Sequence, residues 1–248
     1  MTVLALVLSA LAVAAYLAAV RRSRQRGWPR RRSIAWVGGV VAATLAVTGP
    51  MAAAAHHSFL AHMIGHLLLG MLAPLLLVVG APVTLALRTL PVRQARRLSR
   101  VLSRPGIRWL TEPAVAATLN VGGLWVLYAG GLYGELHHRP VVHLMVHVHV
   151  IGAGYLLTQS LVGVDPMPHR RSFPHRAVVL VLAVAGHDIL AKFLYAHPPY
   201  GVPDAAPGAM LMYYGGDALS ILLMVLLCAR WFRPRWRKNA GRLHESVA

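Results

Sequence analysis

Apolar runs of about 20 residues, each enough to cross ~30 Å of hydrocarbon, recur along this chain between short blocks of arginine. In lipid the backbone must satisfy its own hydrogen bonds, and runs this long and continuous do so as helices. Seven are read, over about 2–20, 34–51, 57–80, 113–132, 139–160, 174–197 and 209–230. They use nearly all of the 248 residues, of which 57% are hydrophobic and 13% charged. No separate soluble domain is therefore expected: residues 1–248 read as one integral membrane domain whose last stretch, 231–248, is a basic tail. The expected fold class is all-α, a polytopic helical bundle.

The basic blocks set the expected topology. Seven arginines separate the first two runs, from Arg21 to Arg32, and seven more separate the third and fourth, from Arg88 to Arg108. Arg170, Arg171 and Arg176 follow the fifth run, and six basic residues from Arg230 to Arg242 follow the seventh. Of the remaining two, Arg139 lies in an opposite loop and Lys192 within a run. The positive-inside rule then puts the N-terminus outside and the C-terminus in the cytoplasm, an alternation that six or eight spans would break. The first run has no basic stretch before it, the reverse of a cleavable signal peptide, and is read as a span. The formal net charge of +18 would suggest nucleic acid in a soluble protein. Here it meets anionic headgroups, so lipid is the expected partner and nucleic acid is not.

Two local features add to this. Residues 91–104 place Val92, Ala95, Leu98 and Leu102 on one helical face with arginines on the other. The pattern reads equally as a helix on the cytoplasmic membrane surface or as a solvated basic loop. Pro74 is expected to kink the third run and to free a carbonyl for a neighbouring helix.

Against this apolar background the histidines stand out. His62 and His66, and again His143 and His147, sit four residues apart and so share a helix face. Counted at ~1.5 Å per residue, both pairs lie one to two turns below the outer surface. His187 and Asp188 on the sixth run and Asp217 on the seventh come to the same level. Ionisable groups there are costly unless they face a site or one another, so these seven residues are expected to surround one shared pocket. Cys228 is the single cysteine, and a metal would rely on histidine, methionine or carboxylate. With Met63 and Met145 nearby, imidazole and thioether suit copper, and the aspartates could ligate it or orient the imidazoles. Protons compete for imidazole, so loading is expected to weaken in acid. Other polar residues read more plainly. His149 points to another face and reads as a packing residue. His56 and His57 sit at the surface, where histidine costs little, although a role in admitting metal is open to them. Asp188 and Lys192 are spaced as an intrahelical ion pair.

The stretches HMIGHLLLGMLAPLLLVVGAP (62–82), HLMVHVHVIGAGYLL (143–157), GVDPMP (163–168) and YYGGDALS (213–220) resemble the multi-spanning CtaG-type assembly factors of bacterial caa3-type cytochrome c oxidase. The likeness runs over roughly residues 50 to 230, and His62, His66, His143, His147 and Asp217 occupy its motif positions. It implies a non-enzymatic protein of the bacterial plasma membrane that helps copper reach oxidase subunits, and it leaves self-association open. Two other classes are weighed against it. A b-type haem or quinone protein would use opposed histidines on separate helices, which leaves the second member of each pair unexplained. A copper or proton transporter would need polar residues in the inner half of the spans, where few occur. No nucleophile–base set and no phosphate-binding loop point to an enzyme.

Overall fold

The computed structural model describes residues 2–23, 27–135, 139–167, 169–198 and 204–245, with side chains as far as Phe232. It is helical, with no strand among the described residues. α1 (Thr2–Arg22) and α2 (Arg30–Val47) run antiparallel: the Ser9 and Thr44 hydroxyls bond at 2.7 Å, and Tyr16 stacks on Trp36 with ring centroids 4.8 Å apart. α3 (Gly49–Ala54) follows a turn at Gly49, whose φ of 68° is one that glycine adopts without strain. α4 (Phe59–Leu67), a π-helical turn (Leu68–Leu72) and α5 (Ala73–Val79) form one rod, continued by α6 (Pro82–Thr89). α7 (Val92–Leu102) and α8 (Pro105–Leu110) are short. α9 (Pro113–Ala117), a second π-helical turn (Thr118–Gly122) and α10 (Gly123–Tyr128) make a shorter rod, followed by α11 (Leu132–Glu135). α12 (Pro140–Leu161), α13 (Phe173–Ala196) and α14 (Ala205–Glu245) complete the bundle.

Five of these stretches are long and apolar enough to cross a membrane: Thr2–Arg22, Phe59–Thr89, Pro140–Leu161, Phe173–Ala196 and Ala205–Phe232. The other two expected spans are helical as well. Arg30–Val47 opens on three arginines, and Pro113–Tyr128 is shorter than the rest. Residues 92–102 form a helix with no buried residue, so the loop reading of that stretch gives way to an amphipathic helix.

Contacts gather the arginine blocks at one end. Tyr16 donates to the Gly80 carbonyl at 2.7 Å and accepts from Trp28, whose ring lies under both Arg32 and Arg88. Asp165, buried, accepts from the amides of Val83 (3.2 Å) and Thr84 (2.7 Å) and from the Thr84 hydroxyl (2.6 Å), and so caps α6. Glu112 caps α9 through the amides of Ala114 and Val115 and also meets His175 and Arg171. Burial alone would raise its carboxyl, but these hydrogen bonds outweigh burial and hold it below the usual carboxylate range. Arg170, Arg176 and Arg230 converge on the carbonyls of Leu161, Val162 and Gly163, where the end of α12 carries the negative pole of its dipole.

At the opposite end, which bears the histidines, Asp204 accepts from the Ser58 hydroxyl and from the amides of Phe59 (2.9 Å) and Leu60 (3.0 Å). That carboxylate ties the start of α14 to the start of α4 and is held below its ordinary value, chiefly by the serine.

Two larger apolar clusters lie toward the ends of the bundle, and a smaller one joins Ala46, Leu69 and Val150. Phe59, Met63, Leu124, Leu190, Leu194 and Met212 pack at the histidine end, and Ala116, Leu157, Leu161, Leu180 and Leu227 at the arginine end. His66, Asn120, His187 and Ser220 fall between them in chain position on α4, the second π turn, α13 and α14. Pro74 produces its expected effect as a π turn just before it, with the freed carbonyl at Gly70. The neighbouring helix meets this oxygen with Gly154: a Cβ there would lie 2.2 Å from it. Only a bare Cα can approach so closely, in a C–H···O contact.

Gly154→Ala is therefore expected to lower stability by ~1–3 kcal/mol. Gly152→Ala, where nothing lies within 4 Å, is expected to be neutral or mildly stabilising. Thermal unfolding of the purified protein in one detergent compares the two. Asp165→Ala is expected to cost about 1–2 kcal/mol in the same assay through the lost cap. Because the folded-state pKa of Asp204 lies below its ordinary 3.8, its contribution is present above that value and lost as pH falls through the folded pKa. Wild type should lose this increment on acidification below ~pH 4, and Asp204→Asn should not.

Candidate functional site

The two histidine pairs arise from helical repeat, but their partners come from other elements. α4 presents His62 and His66 one turn apart, and a four-residue step rises ~6 Å. Tyr128, at the end of α10, reaches into this step. Its hydroxyl bonds His62 Nε2 at 3.0 Å and lies 3.9 Å from the Met63 sulfur. Its ring stands edge-on to both His62 and His66, at centroid distances of 5.9 and 6.2 Å. The expected single pocket is thereby divided in two.

The first cavity, about 30 Å³, lies at the histidine end and is lined by His56, His62, His143 and His147. The rings of His143 and His147 are 4.2 Å apart between centroids, and His56 stacks against His143 at 5.7 Å. His147 donates through Nδ1 to the His143 carbonyl at 2.7 Å, which leaves its Nε2 as the electron-pair donor.

The second cavity, about 50 Å³, is deeper. His66, Asn120, His149, His187 and Ser220 are its polar lining, and Gly70 and Met71 of the first π turn border it too. π turns recur at functional sites, and here two of them flank one cavity. His66 and His187 are 7% and 6% exposed, with rings stacked 6.0 Å apart. His66 Nε2, both His187 ring nitrogens and Asp188 Oδ1 are buried without a hydrogen-bond partner among the described residues. His187 Nδ1 and Asp188 Oδ1 are 3.6 Å apart, an electrostatic contact too long for a hydrogen bond. Asp217 acts electrostatically on both of them. The backbone beside it approaches closely, since a Cβ on Gly216 would lie 2.4 Å from the His187 ring.

Of the seven residues expected to share a pocket, His62, His143 and His147 meet in the first cavity. His66 and His187 meet in the second, with Asp188 and Asp217 beside His187. Lys192 is exposed with its ammonium over the Tyr213 ring, and no ion pair joins it to Asp188 among the described residues. His149 donates to the Leu119 carbonyl at 3.0 Å and packs against Gly123, the structural part expected of it. His56, Asn120 and Ser220 complete the two linings, and Tyr128 stands between them. Only His56 carried a signal in the sequence, its position just ahead of His62. The others come from elements whose pairing no local pattern announces.

Among the described residues no three His, Cys, Asp or Glu side chains come together closely enough to enclose an ion. The donors instead form imidazole pairs with a thioether beside them, and the deep nitrogens lack partners. Such a set fits a soft cation held by few ligands better than a hard one that demands an oxygen shell.

Comparison with known proteins finds curated relatives and a family. Uncharacterized proteins of Mycobacterium bovis and Mycobacterium tuberculosis are each 34% identical over 188 residues, covering 73% of this chain and 28% of theirs. One from Mycobacterium leprae is 31% identical over 249 residues, 90% of this chain and 38% of its own. The chain thus spans about a third of the length of the curated relatives it matches. No solved structure matches it. Residues 14–234 match the family described as cytochrome c oxidase caa3 assembly factor, and the chain belongs to that family.

Proposed function

We propose that this chain is a membrane assembly factor for caa3-type cytochrome c oxidase that binds copper through its histidines and aids its delivery to the oxidase. The observation that carries the copper part is the set of buried imidazole nitrogens at His66 and His187 with no hydrogen-bond partner among the described residues. An unsatisfied polar group in a bundle core costs roughly 1–3 kcal/mol, and two such histidines on facing helices are hard to maintain unless something is bound there. Histidine and methionine without thiolate give ligands that exchange, as a protein that passes metal on requires.

The topology we assign is seven spans, with Arg30–Val47 and Pro113–Tyr128 completing the five longer ones, and with the histidine end outside. The arginine end then faces the cytoplasm of a bacterial cell, in keeping with the positive-inside rule. Copper would be collected at the outer face and transferred laterally to a client within the bilayer. The haem reading is disfavoured by size: about 50 Å³ accommodates an ion and a water or two, not a macrocycle.

Cells lacking this protein should assemble oxidase deficient in copper, measured by elemental analysis of the purified enzyme. Wild type should restore it, and His62→Ala or His143→Ala should not. Full copper content in the deletion strain would overturn the copper role. Reporter fusions should report Ala55 outside and Ser103 inside, and the reverse pattern would invert the topology.

A further inference from the structure

His62 and His66 share one face of α4, yet each belongs to a different cavity. Met63 stands at the step between them, fully buried, with its sulfur 3.9 Å from the Tyr128 hydroxyl. Tyr128 closes that step, since its ring touches both histidines and its hydroxyl bonds His62. Imidazole, thioether and imidazole thus follow one another along a single turn of helix.

The two cavities differ in their surroundings. No carboxylate lines either one, but Asp188 Oδ1 stands 3.6 Å from His187 Nδ1 beside the second. A cation moving from the first to the second approaches that carboxylate among more deeply buried groups and gains electrostatic stabilisation. That difference gives the step a direction.

We propose that Cu(I) occupies two stations on this chain in succession. The first is His62 with His143 and His147, the second is His66 with His187, and Met63 hands the ion on as the Tyr128 hydroxyl swings aside. The inference rests on the copper reading above and adds the oxidation state and the route. With no three ligands enclosing an ion among the described residues, each station offers imidazoles about two at a time. Cu(I) accepts such low coordination from imidazole and thioether, whereas Cu(II) prefers a tetragonal set. The ion keeps its oxidation state throughout, so no electron donor is required.

The full chain in lipid nanodiscs, titrated anaerobically with Cu(I) against a chromophoric chelator, tests this. Wild type is expected to bind two ions. His143→Ala/His147→Ala and His66→Ala/His187→Ala are each expected to keep one. Met63→Leu, which preserves volume, should still bind two but fill the second about tenfold more slowly. Tyr128→Phe should fill it faster, having lost the bond that holds the step closed. If either double variant, still monodisperse and with wild-type helicity, loses all copper, the ions share one site and the two stations are wrong while copper binding stands. Unchanged filling in Met63→Leu overturns the hand-over step. If wild type binds no Cu(I), the copper reading itself fails.

Discussion

A bundle surrounded by lipid must satisfy its polar groups from its own resources, and this chain has only seven acidic residues with which to do so. Three of them cap helices. Asp165 holds the start of α6, Glu112 the start of α9, and Asp204 joins the starts of α4 and α14. Each brings together segments distant in sequence, 81 residues apart for Asp165 and Thr84 and 145 for Asp204 and Phe59. The same economy applies to cations: Arg170, Arg176 and Arg230 serve the carbonyls at the end of α12 rather than carboxylates. With the ends tied in this way, two half-buried acids, Asp188 and Asp217, are left beside His187.

The two π turns do for the interior what the caps do for the ends. A π turn adds one residue to a helix and shifts the face that follows it, at the expense of a backbone bond. In the first, Pro74 removes an amide and Gly154 covers the freed oxygen. In the second, His149 supplies the donor for Leu119. Both turns border the deep cavity, through Gly70 and Asn120. The irregularity that helps to form the cavity is therefore stabilised by α12 on both sides.

How much of this was legible follows from the range of each interaction. Long apolar runs and arginine blocks are local signals, and they located most of the helices to within a few residues, although α14 runs on to Glu245, through much of the expected basic tail. The i, i+4 rule correctly put His62 with His66 on one face and His143 with His147 on another. It carries no information about what inserts between the two members of a pair, and so the wedge of Tyr128, more than 60 residues away, escaped notice. Asp165 was visible within the GVDPMP stretch, but its role depends on amides of α6 that no pattern around Asp165 announces. The Asp188–Lys192 spacing fitted an ion pair, yet Tyr213 on the adjacent helix takes the lysine instead.

The bare contact between Gly154 and the Gly70 oxygen makes α12 a lever with a fulcrum. At ~1.5 Å per residue, its histidine arm runs about 16 Å from the fulcrum to His143, and its arginine arm about 10 Å to Leu161. The shorter arm is clamped by three guanidiniums, whereas the longer one ends in half-buried imidazoles. A tilt about this point would carry His143 through an arc about 1.6 times that of Leu161, so the mouth of the bundle yields further than its base.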